Sequence, residues 1–354
     1  MKDWIRPEIK ALTAYHVPDA TGYIKLDAME NPYHWPQELT EQWLELLRCA
    51  NLNRYPDPSA NNLKAKIQSS LNLPSETEII LGNGSDELIQ MILIAVSGHN
   101  RAVMSVEPSF VMYKMIASFL DMPYVGVALN DNFELDLELM LEKIKQHQPA
   151  VIFIAYPNNP TGNLFSEQSI NEILKSTEAI VVVDEAYFAF ADKSYANKLN
   201  DYENLIVMRT VSKMGLAGLR LGYMAGNKKL LQEIDKVRLP YNINILTQLS
   251  TEFALENKRV LDKQTEQIKQ DREKLSTALK TISGVNVYPS DANFILIRLL
   301  SKNADEVFAS LKEQNILIKN LSHADASLNN CLRVTVGENR ENEQFLSAFA
   351  AAMK

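Results

Sequence analysis

Glycine is scarce in this chain: it accounts for 12 of 354 residues, about half of the ~7% found in an average protein. Cysteine occurs twice, and Cys49 and Cys331 are too far apart for a metal-binding or CxxC motif and too few for a disulfide scaffold. Hydrophobic runs stay short of the ~18 residues that span a membrane, and the N-terminus has no apolar stretch of the signal-peptide type. We therefore expect a cytoplasmic protein without a metal site or a membrane segment.

Clustered charge is also missing. The 36 basic and 44 acidic residues give a net charge of −8, and no patch of lysine and arginine is interleaved with aromatic residues. Because nucleic-acid phosphates are bound by clustered positive charge, nucleic acid is not an expected partner. Hydrophobic residues make up 46% and charged residues 23% of the chain, which is typical of globular proteins. At ~150 residues per domain, the length is enough for about two domains.

Seven short apolar runs between residues 77 and 226 alternate with amphipathic stretches of helical length. Two of the runs, VIFIA at 151–155 and IVVVD at 180–184, are apolar almost throughout rather than alternating, which is typical of strands buried on both faces. The pattern predicts an α/β fold with a mainly parallel seven-stranded sheet flanked by helices. The predicted strands are 78–81, 101–106, 123–129, 150–155, 179–183, 204–208 and 221–225.

The C-terminal third has a different pattern and predicts a smaller α+β domain. A long polar helical stretch runs from about 246 to 282, and shorter segments follow. We expect an N-terminal arm over 1–40 that also forms part of the small domain, a large domain over 41–246 and the small domain over 247–354. The later segments are strands at 285–288, 294–299, 316–318 and 332–336, with helices at 304–314 and from 341.

The scarce glycines gather in three loops, and the first is GNGSDE at 82–87. This turn joins a predicted strand to a predicted helix, where unpaired backbone N–H groups and the helix dipole favour an anion such as phosphate. The alternative is an ordinary capped turn, because Ser85 is a good N-cap and Asp86 suits a first helical turn.

The other two glycine loops also follow buried strands. In YPNNPTG at 156–162, the amides of Asn158 and Asn159 face a ligand crevice or form a plain turn. TVSKMGLAGLRLGY at 210–223 contains Lys213 and, in an otherwise apolar neighbourhood, Arg220. Burial disfavours an ammonium group, so Lys213 is either a nucleophile that forms a Schiff base or a lysine whose amine extends to solvent.

A carboxylate, Asp184, ends the aliphatic run at 180–183. A carboxylate at this position is expected to be buried, and it then requires a cationic partner or several hydrogen bonds. Either a protonated ring nitrogen of a ligand or an arginine side chain would satisfy it.

Taken in chain order, these motifs resemble the fold-type I aminotransferases, which use pyridoxal 5′-phosphate. The resemblance rests on GNGSDE, NNPTG at 158–162, DEAY at 184–187 and SKMGLAGLR at 212–220, and it spans nearly the whole chain. Within this class the sequence is most similar to the histidinol-phosphate aminotransferase family. That narrower resemblance is carried by LDAMENP at 26–32, RYPDP at 54–58, SDANFILIRL at 290–299 and NCLRVTVGENRENEQF at 330–345.

The resemblance implies a role for each matching residue. Lys213 would bind the cofactor as a Schiff base and later move the substrate Cα proton, and Asp184 would pair with the protonated ring nitrogen. Asn159 and Tyr187 would hydrogen-bond the phenolic oxygen of the ring, and Tyr113 would stack on its face. The 5′-phosphate would be held by Gly84, Ser85, Asp86, Thr210, Ser212 and Arg220.

The same resemblance implies a homodimer and a reaction. Tyr55 would reach the cofactor phosphate of the neighbouring subunit, Arg333 would hold the anionic end of the substrate, and Tyr15 would close over it. Lys319 stands where many relatives have a second arginine. The implied reaction is the reversible transfer of an amino group between L-histidinol phosphate and 2-oxoglutarate, giving imidazole acetol phosphate and L-glutamate, in L-histidine biosynthesis.

Two kinds of alternative remain. On the same fold, an aromatic or broad-specificity aminotransferase or a threonine-phosphate decarboxylase would carry the same cofactor motifs, because one or two pocket residues change the substrate. A catalytically silent sensor that binds pyridoxal phosphate is the alternative from a different class. Such proteins usually carry an added DNA-binding helix-turn-helix, and we expect none in this chain.

Overall fold

A computed structural model describes residues 4–14, 17–98 and 101–354. The strands are β1 (Ile24–Lys25), β2 (Glu78–Asn83), β3 (Val103–Glu107), β4 (Tyr124–Ala128), β5 (Val151–Ala155), β6 (Ile180–Asp184), β7 (Leu205–Thr210), β8 (Leu221–Gly226), β9 (Val285–Val287), β10 (Phe294–Leu299), β11 (Ile316–Leu317), β12 (Lys319–Asn320) and β13 (Cys331–Thr335). The α-helices are α1 (Pro7–Lys10), α2 (Gln37–Arg48), α3 (Asn61–Ser70), α4 (Gly84–Val96), α5 (Met112–Phe119), α6 (Leu137–His147), α7 (Glu167–Ser176), α8 (Lys228–Asp235), α9 (Ile245–Glu256), α10 (Lys258–Lys280), α11 (Ala304–Glu313) and α12 (Asn339–Ala352). Within these ranges, no helix is both long and apolar enough to cross a membrane.

A seven-stranded sheet in the order β2-β8-β7-β6-β5-β3-β4 forms the centre of the molecule. Only β8 runs against its neighbours, β2 and β7, and the remaining strands are parallel. The central strand β5 is buried along all of its residues, as its continuous apolar sequence predicts. The predicted fold class is confirmed, and each of the seven strands lies where an apolar run predicted it.

Helices cover both faces of this sheet. Alternate residues of a strand point to opposite faces, so Ile152 and Ile154 pack in one core with α3, α6, α7 and α9. Val151 and Phe153 pack in a second core with α4, α5 and α8 on the other face. Because helices cover both faces, the polar ends of the strands are the parts of the sheet that a ligand can reach.

A smaller antiparallel sheet, in the order β12-β13-β10-β9, packs with α10, α11 and α12 around a separate core. The N-terminal segment joins this unit, because β1 pairs in parallel with β11 and Leu26 is buried in the same core. These contacts agree with an N-terminal arm that contributes to the small domain.

The helical stretch predicted from 246 to 282 is two helices rather than one. Asn257 separates α9 from α10, and its side-chain amide donates to the carbonyl oxygen of Phe253. Asparagine hydrogen-bonds nearby backbone readily, which favours helix ends over helix interiors. Ala254 and Leu255 of α9 pack in the core of the large sheet, so α9 crosses the predicted boundary at 246. The division into domains stays a prediction.

Candidate active site

The carboxyl ends of the parallel strands meet at one edge of the large sheet and open into a cavity of about 420 Å³. Loops after β2, β5, β6 and β7 supply most of its wall, as expected for an open α/β sheet. The segment after β1 closes the cavity from the side of the small unit. The lining includes ten residues that the sequence predicts as site residues: Gly84, Ser85, Asp86, Asn159, Asp184, Tyr187, Thr210, Ser212, Lys213 and Arg220.

The β2–α4 turn forms an anion cradle against Arg220. Gly84 has φ of +79°, and a Cβ at this position would lie 2.7 Å from Arg220 Nη2. A Cβ at Gly222 would lie 2.7 Å from the carbonyl carbon of Gly84. Glycine at both positions therefore lets the turn, β8 and the guanidinium group approach one another closely.

Three further polar side chains line the cradle beside Arg220: Asp86, Thr210 and Ser212. Arg220 Nη2 lies 3.6 Å from Asp86 Oδ2, while Asp86 Oδ1 is shielded from solvent and makes no hydrogen bond within the described residues. The hydroxyl groups of Thr210 and Ser212 are 2.8 Å apart. Together with the first N–H groups of α4, the hydroxyls of Thr210 and Ser212 and the guanidinium group of Arg220 form a donor-rich site for a phosphate group.

Lys213 extends into the cavity from the loop after β7. Its amine donates to the carbonyl oxygen of Ala28 over 3.2 Å. Burial, reinforced by the positive charge of Arg333, lowers the pKa of Lys213 to about 8. A neutral amine is therefore accessible near neutral pH, as a nucleophile or a general base requires.

Asp184 ends β6 in the floor of the cavity and is 3% exposed. Burial raises the pKa of its carboxyl group to about 7. The hydroxyl of Tyr113 and the backbone N–H of Ala186 donate to it and lower the pKa against burial. Near neutral pH the carboxyl group is therefore only partly ionised, and a cationic ligand group would stabilise its charged form.

Asn159, Tyr187 and Arg333 form a connected set along one wall. The side-chain amide of Asn159 donates to the hydroxyl oxygen of Tyr187 over 3.2 Å, and Arg333 Nη1 donates to Asn159 Oδ1. Arg333 Nη2 also donates to the carbonyl oxygen of Asp27. On the neighbouring strand, Lys319 lies directly across from Arg333, so the two side chains share one face of the small sheet.

The prediction that Tyr113 stacks on a ring in the cavity is wrong. Tyr113 is fully buried, and its ring stacks on Phe153 in the core of the large sheet. Its position on α5 turns the side chain away from the cavity, and Phe110, in the loop after β3, lines the cavity instead. The segment EPSFVMY at 107–113 carries two aromatic residues, and only the one in the strand-end loop can reach the crevice. That rule would have selected Phe110 from the sequence.

Two other predicted site residues lie outside this cavity. Tyr55 is 81% exposed and stacks on Tyr241 at a centroid distance of 4.4 Å, in a groove away from Lys213. Tyr15 lies outside the described residues. The carbonyl of Ala28 and the side chain of Glu30 line the cavity without having been predicted; no sequence signal distinguished them from the rest of LDAMENP.

Residues 21–349 match the family model described as aminotransferase class I and II. The chain belongs to the class I and II aminotransferases. Enzymes of this family depend on pyridoxal 5′-phosphate, and this chain is a transaminase with that cofactor. The fold and the cofactor that the motifs predicted are thereby confirmed.

Individual relatives are similar along their whole length. A protein of Nitrosococcus oceani named histidinol-phosphate aminotransferase 2 is 55% identical over 99% of this chain and 98% of its own length. A protein of the same name from Cupriavidus pinatubonensis is 47% identical over 99% of this chain and 96% of its own. The solved structure of histidinol-phosphate aminotransferase from Sinorhizobium meliloti, in complex with pyridoxal-5′-phosphate, has a TM-score of 0.87. It covers 100% of this chain and 98% of its own at 22% identity, so it supports the fold.

The cavity of this aminotransferase fits its cofactor. The glycine-lined cradle beside Arg220 has room and donors for a phosphate group. Asp184 is a buried carboxylate that can hold a protonated ring nitrogen. Lys213 lines the cavity and has a primary amine of the kind that forms a Schiff base with a carbonyl group.

Proposed function

We propose that this aminotransferase transfers the amino group between L-histidinol phosphate and 2-oxoglutarate, giving imidazole acetol phosphate and L-glutamate, as a step of L-histidine biosynthesis. The observation that carries the proposal is the 55% identity over 99% of the chain to a relative named histidinol-phosphate aminotransferase. The similarity extends over 351 residues, a span that contains both the cofactor loops and the strand that bears Arg333.

In the proposed site, separate groups of residues hold separate parts of the cofactor. The N–H groups that follow Gly84, the hydroxyls of Thr210 and Ser212, and the guanidinium of Arg220 bind the phosphate. Asp184 pairs with the protonated ring nitrogen and keeps the proton there, and Asn159 and Tyr187 hydrogen-bond the ring oxygen. Phe110 is the aromatic residue that covers the ring. When bound, pyridoxal phosphate supplies a carbonyl carbon for the amino group and a ring that withdraws electrons from the substrate Cα.

Lys213 then moves the proton on which transamination depends. Its pKa of about 8 leaves part of the amine neutral at pH 7. The neutral amine can remove the proton from Cα of the amino donor, and in the second half-reaction the protonated amine can return a proton to Cα of the acceptor. The carbonyl of Ala28, 3.2 Å from the amine, holds Lys213 at the cavity between these proton transfers. General-base catalysis of this kind contributes about 10²–10⁴-fold to a rate.

Arg333 is the proposed anchor for the anionic end of the substrate. Histidinol phosphate has no carboxylate, so the planar guanidinium fork would bind its phosphate ester, and in the second half-reaction the same fork would bind a carboxylate of glutamate. Lys319, across the strand pair from Arg333, adds positive charge on the same face without a second fork.

We further propose that the enzyme is a homodimer in which Tyr55 contacts the cofactor phosphate of the partner subunit. Tyr55 and Leu52 are 81% and 70% exposed, and they border a groove with Tyr241 and Leu246. Exposed apolar and aromatic residues of this density are typical of protein interfaces. The hydroxyl of an 81% exposed tyrosine is free to serve a neighbouring subunit.

The decisive experiment is an assay of the loaded enzyme with histidinol phosphate and 2-oxoglutarate, in which glutamate is measured. Phenylalanine, tyrosine and O-phosphothreonine serve as competing substrates under the same conditions. We expect kcat/KM for histidinol phosphate to exceed that for the aromatic donors, and no CO₂ release from O-phosphothreonine. A preference for phenylalanine or tyrosine would instead indicate an aromatic aminotransferase on this fold.

A further inference from the structure

Tyr113 lies between α5 and the large sheet, and its hydroxyl group contacts Asp184. The hydroxyl donates to Asp184 Oδ2 over 2.6 Å, and no part of Tyr113 is exposed. Its ring stacks on Phe153 at a centroid distance of 4.6 Å and meets the edge of Phe110 at 5.6 Å. Two aromatic neighbours therefore hold the phenol in one orientation.

The carboxylate oxygens of Asp184 have different partners. Oδ2 accepts from Tyr113, and Oδ1 accepts from the backbone N–H of Ala186 over 3.1 Å. Burial raises the pKa of Asp184, and of the two donors that oppose burial Tyr113 has the larger effect. The negative charges of two nearby carboxylates, Asp86 on α4 and the adjacent Glu185, also raise its pKa.

We propose that Tyr113 is a positioning residue that acts through Asp184. Its hydroxyl makes the carboxylate a weaker base, so that a proton shared between Asp184 and the ring nitrogen of the cofactor stays on the nitrogen. The inference rests on the proposed contact between Asp184 and that nitrogen.

The physical basis is the balance between two bases that share one proton. A hydrogen bond donated to a carboxylate stabilises its negative charge and lowers its basicity. The proton then resides on the competing base, and a positively charged ring withdraws electrons more strongly than a neutral one. Tyr113 itself remains a donor, because burial and the negative charge of Asp184 raise the pKa of its phenol well above the ordinary value. Its other titratable neighbours, Tyr124 and Tyr187, are phenols, which are neutral at pH 7.

The test compares Tyr113→Phe with the matched control Tyr223→Phe. Both substitutions remove one hydroxyl from a fully buried tyrosine. Tyr223 belongs to the core on the other face of the sheet and accepts from Arg209 Nη1 over 3.3 Å, so it does not contact Asp184.

In the cofactor-free protein, the titration of Asp184 is followed by NMR with carboxyl-labelled aspartate, and its signal is assigned with Asp184→Asn. We expect Tyr113→Phe to raise the midpoint by about one pH unit, the typical effect of a hydrogen bond to a charged group. We expect Tyr223→Phe to leave it unchanged. In protein loaded with ¹⁵N-pyridine-labelled cofactor, the nitrogen signal should move from the protonated toward the neutral position in Tyr113→Phe alone.

A midpoint and a nitrogen signal that stay at their wild-type values in Tyr113→Phe would overturn the proposal, since a purely structural role would lower only the Tm. If that variant does not fold, 4-fluorophenylalanine incorporated at position 113 fills the space of the hydroxyl without donating, and the same shifts are expected. Neither measurement uses histidinol phosphate. Failure of the substrate assay and failure of this inference are therefore distinguishable.

Discussion

The amine of Lys213 and the carbonyl oxygen of Ala28 are 3.2 Å apart and belong to different parts of the fold. Lys213 follows β7 of the large sheet, whereas Ala28 follows β1, which pairs with β11. The backbone N–H of Met29 donates to the hydroxyl of Thr335 in β13, which fixes this segment to the small sheet. Lys213 is thus held by a segment that is anchored away from its own sheet.

Replacement of Lys213 by methionine should abolish turnover. The substitution removes the amine that we propose both binds the cofactor covalently and moves the Cα proton, and loss of such a base alone costs about 10²–10⁴-fold in rate. We expect the visible absorption of the purified enzyme to be lost together with transaminase activity. Turnover at more than about a hundredth of the wild-type rate would contradict the role given to Lys213.

The same substitution should stabilise the cofactor-free protein below pH 8. The folded-state pKa of Lys213, about 8, lies below its unfolded value of ~10.4, so between these pH values the unfolded chain binds more protons. Wild-type stability therefore rises with pH across this window. Lys213→Met removes the cost of burying the charged amine, so its free energy of unfolding should exceed that of the wild type by at most about 3 kcal/mol at pH 7.

Denaturant unfolding of both proteins between pH 7 and 10.5 measures this difference. We expect the difference in unfolding free energy between the two proteins to shrink steadily above pH 8. The control is Lys263→Met in α10, because Lys263 is exposed and its replacement should change stability by no more than about 0.5 kcal/mol at any pH. A gain that does not depend on pH would mean that packing, rather than charge burial, separates Lys213→Met from the wild type.

Alanine at Gly84 should weaken cofactor binding specifically. A Cβ there would lie 2.7 Å from Arg220 Nη2, in addition to the strain of φ at +79°. Gly22 is a matched control, because it has φ of +82° and open space around its Cβ position. Both substitutions should lower stability by about 1–2 kcal/mol through backbone strain, but only Gly84→Ala should raise the cofactor Kd, by roughly tenfold. Equal Kd values for the two variants would contradict a phosphate cradle at this turn.

Much of the fold could be predicted from the sequence because strands buried on both faces carry continuous apolar runs. The residues 151–155 and 180–184 predicted β5 and β6 within a residue. The prediction of one helix over residues 246–282 was wrong, because the sequences of α9 and α10 both have a helical pattern and the break between them is marked by Asn257. Which core each helix joins depends on contacts across the molecule, which a local pattern does not contain.

The candidate site was predictable to the extent that its chemistry lies in strand-end loops. Lys213 and Arg220 stand in the segment between β7 and β8, Asp184 is the last residue of β6, and each is unusual there for a charged side chain. Tyr113 was assigned to the wrong place because its distance from the cavity depends on the point where α5 begins. The carbonyl of Ala28 has no side-chain signature, so nothing in the sequence identified it as the partner of Lys213.

Arg333 should contribute to both half-reactions. Arg333→Ala removes a guanidinium that is 7% exposed, and loss of a buried charged anchor typically costs about 2–5 kcal/mol, which corresponds to roughly 30-fold to several thousandfold in kcat/KM. We expect similar losses with histidinol phosphate and with glutamate, measured separately by single-turnover kinetics. Arg298→Lys is the control on the neighbouring strand β10, where the arginine stacks near Phe133 and should tolerate the change. A loss confined to one substrate would mean that the two anions use different anchors.

Subunits with complementary defects should restore activity when mixed, if Tyr55 acts across a dimer interface. Tyr55→Ala lacks the residue proposed to reach the partner's cofactor, and Lys213→Met lacks the lysine of its own site. In a mixed dimer, one site then combines an intact Lys213 with an intact Tyr55, while the other site has lost both. After subunit exchange about half of the dimers should be mixed, and each mixed dimer has one working site. We therefore expect the mixture to recover up to about a quarter of the wild-type activity per subunit. Analytical ultracentrifugation should give the mass of a dimer. Tyr241→Ala is the matched control, since it removes the ring that stacks on Tyr55 at 4.4 Å but leaves the Tyr55 hydroxyl in place. Monomers in solution, or mixtures no more active than the Tyr55→Ala protein alone, would show that Tyr55 has no such role.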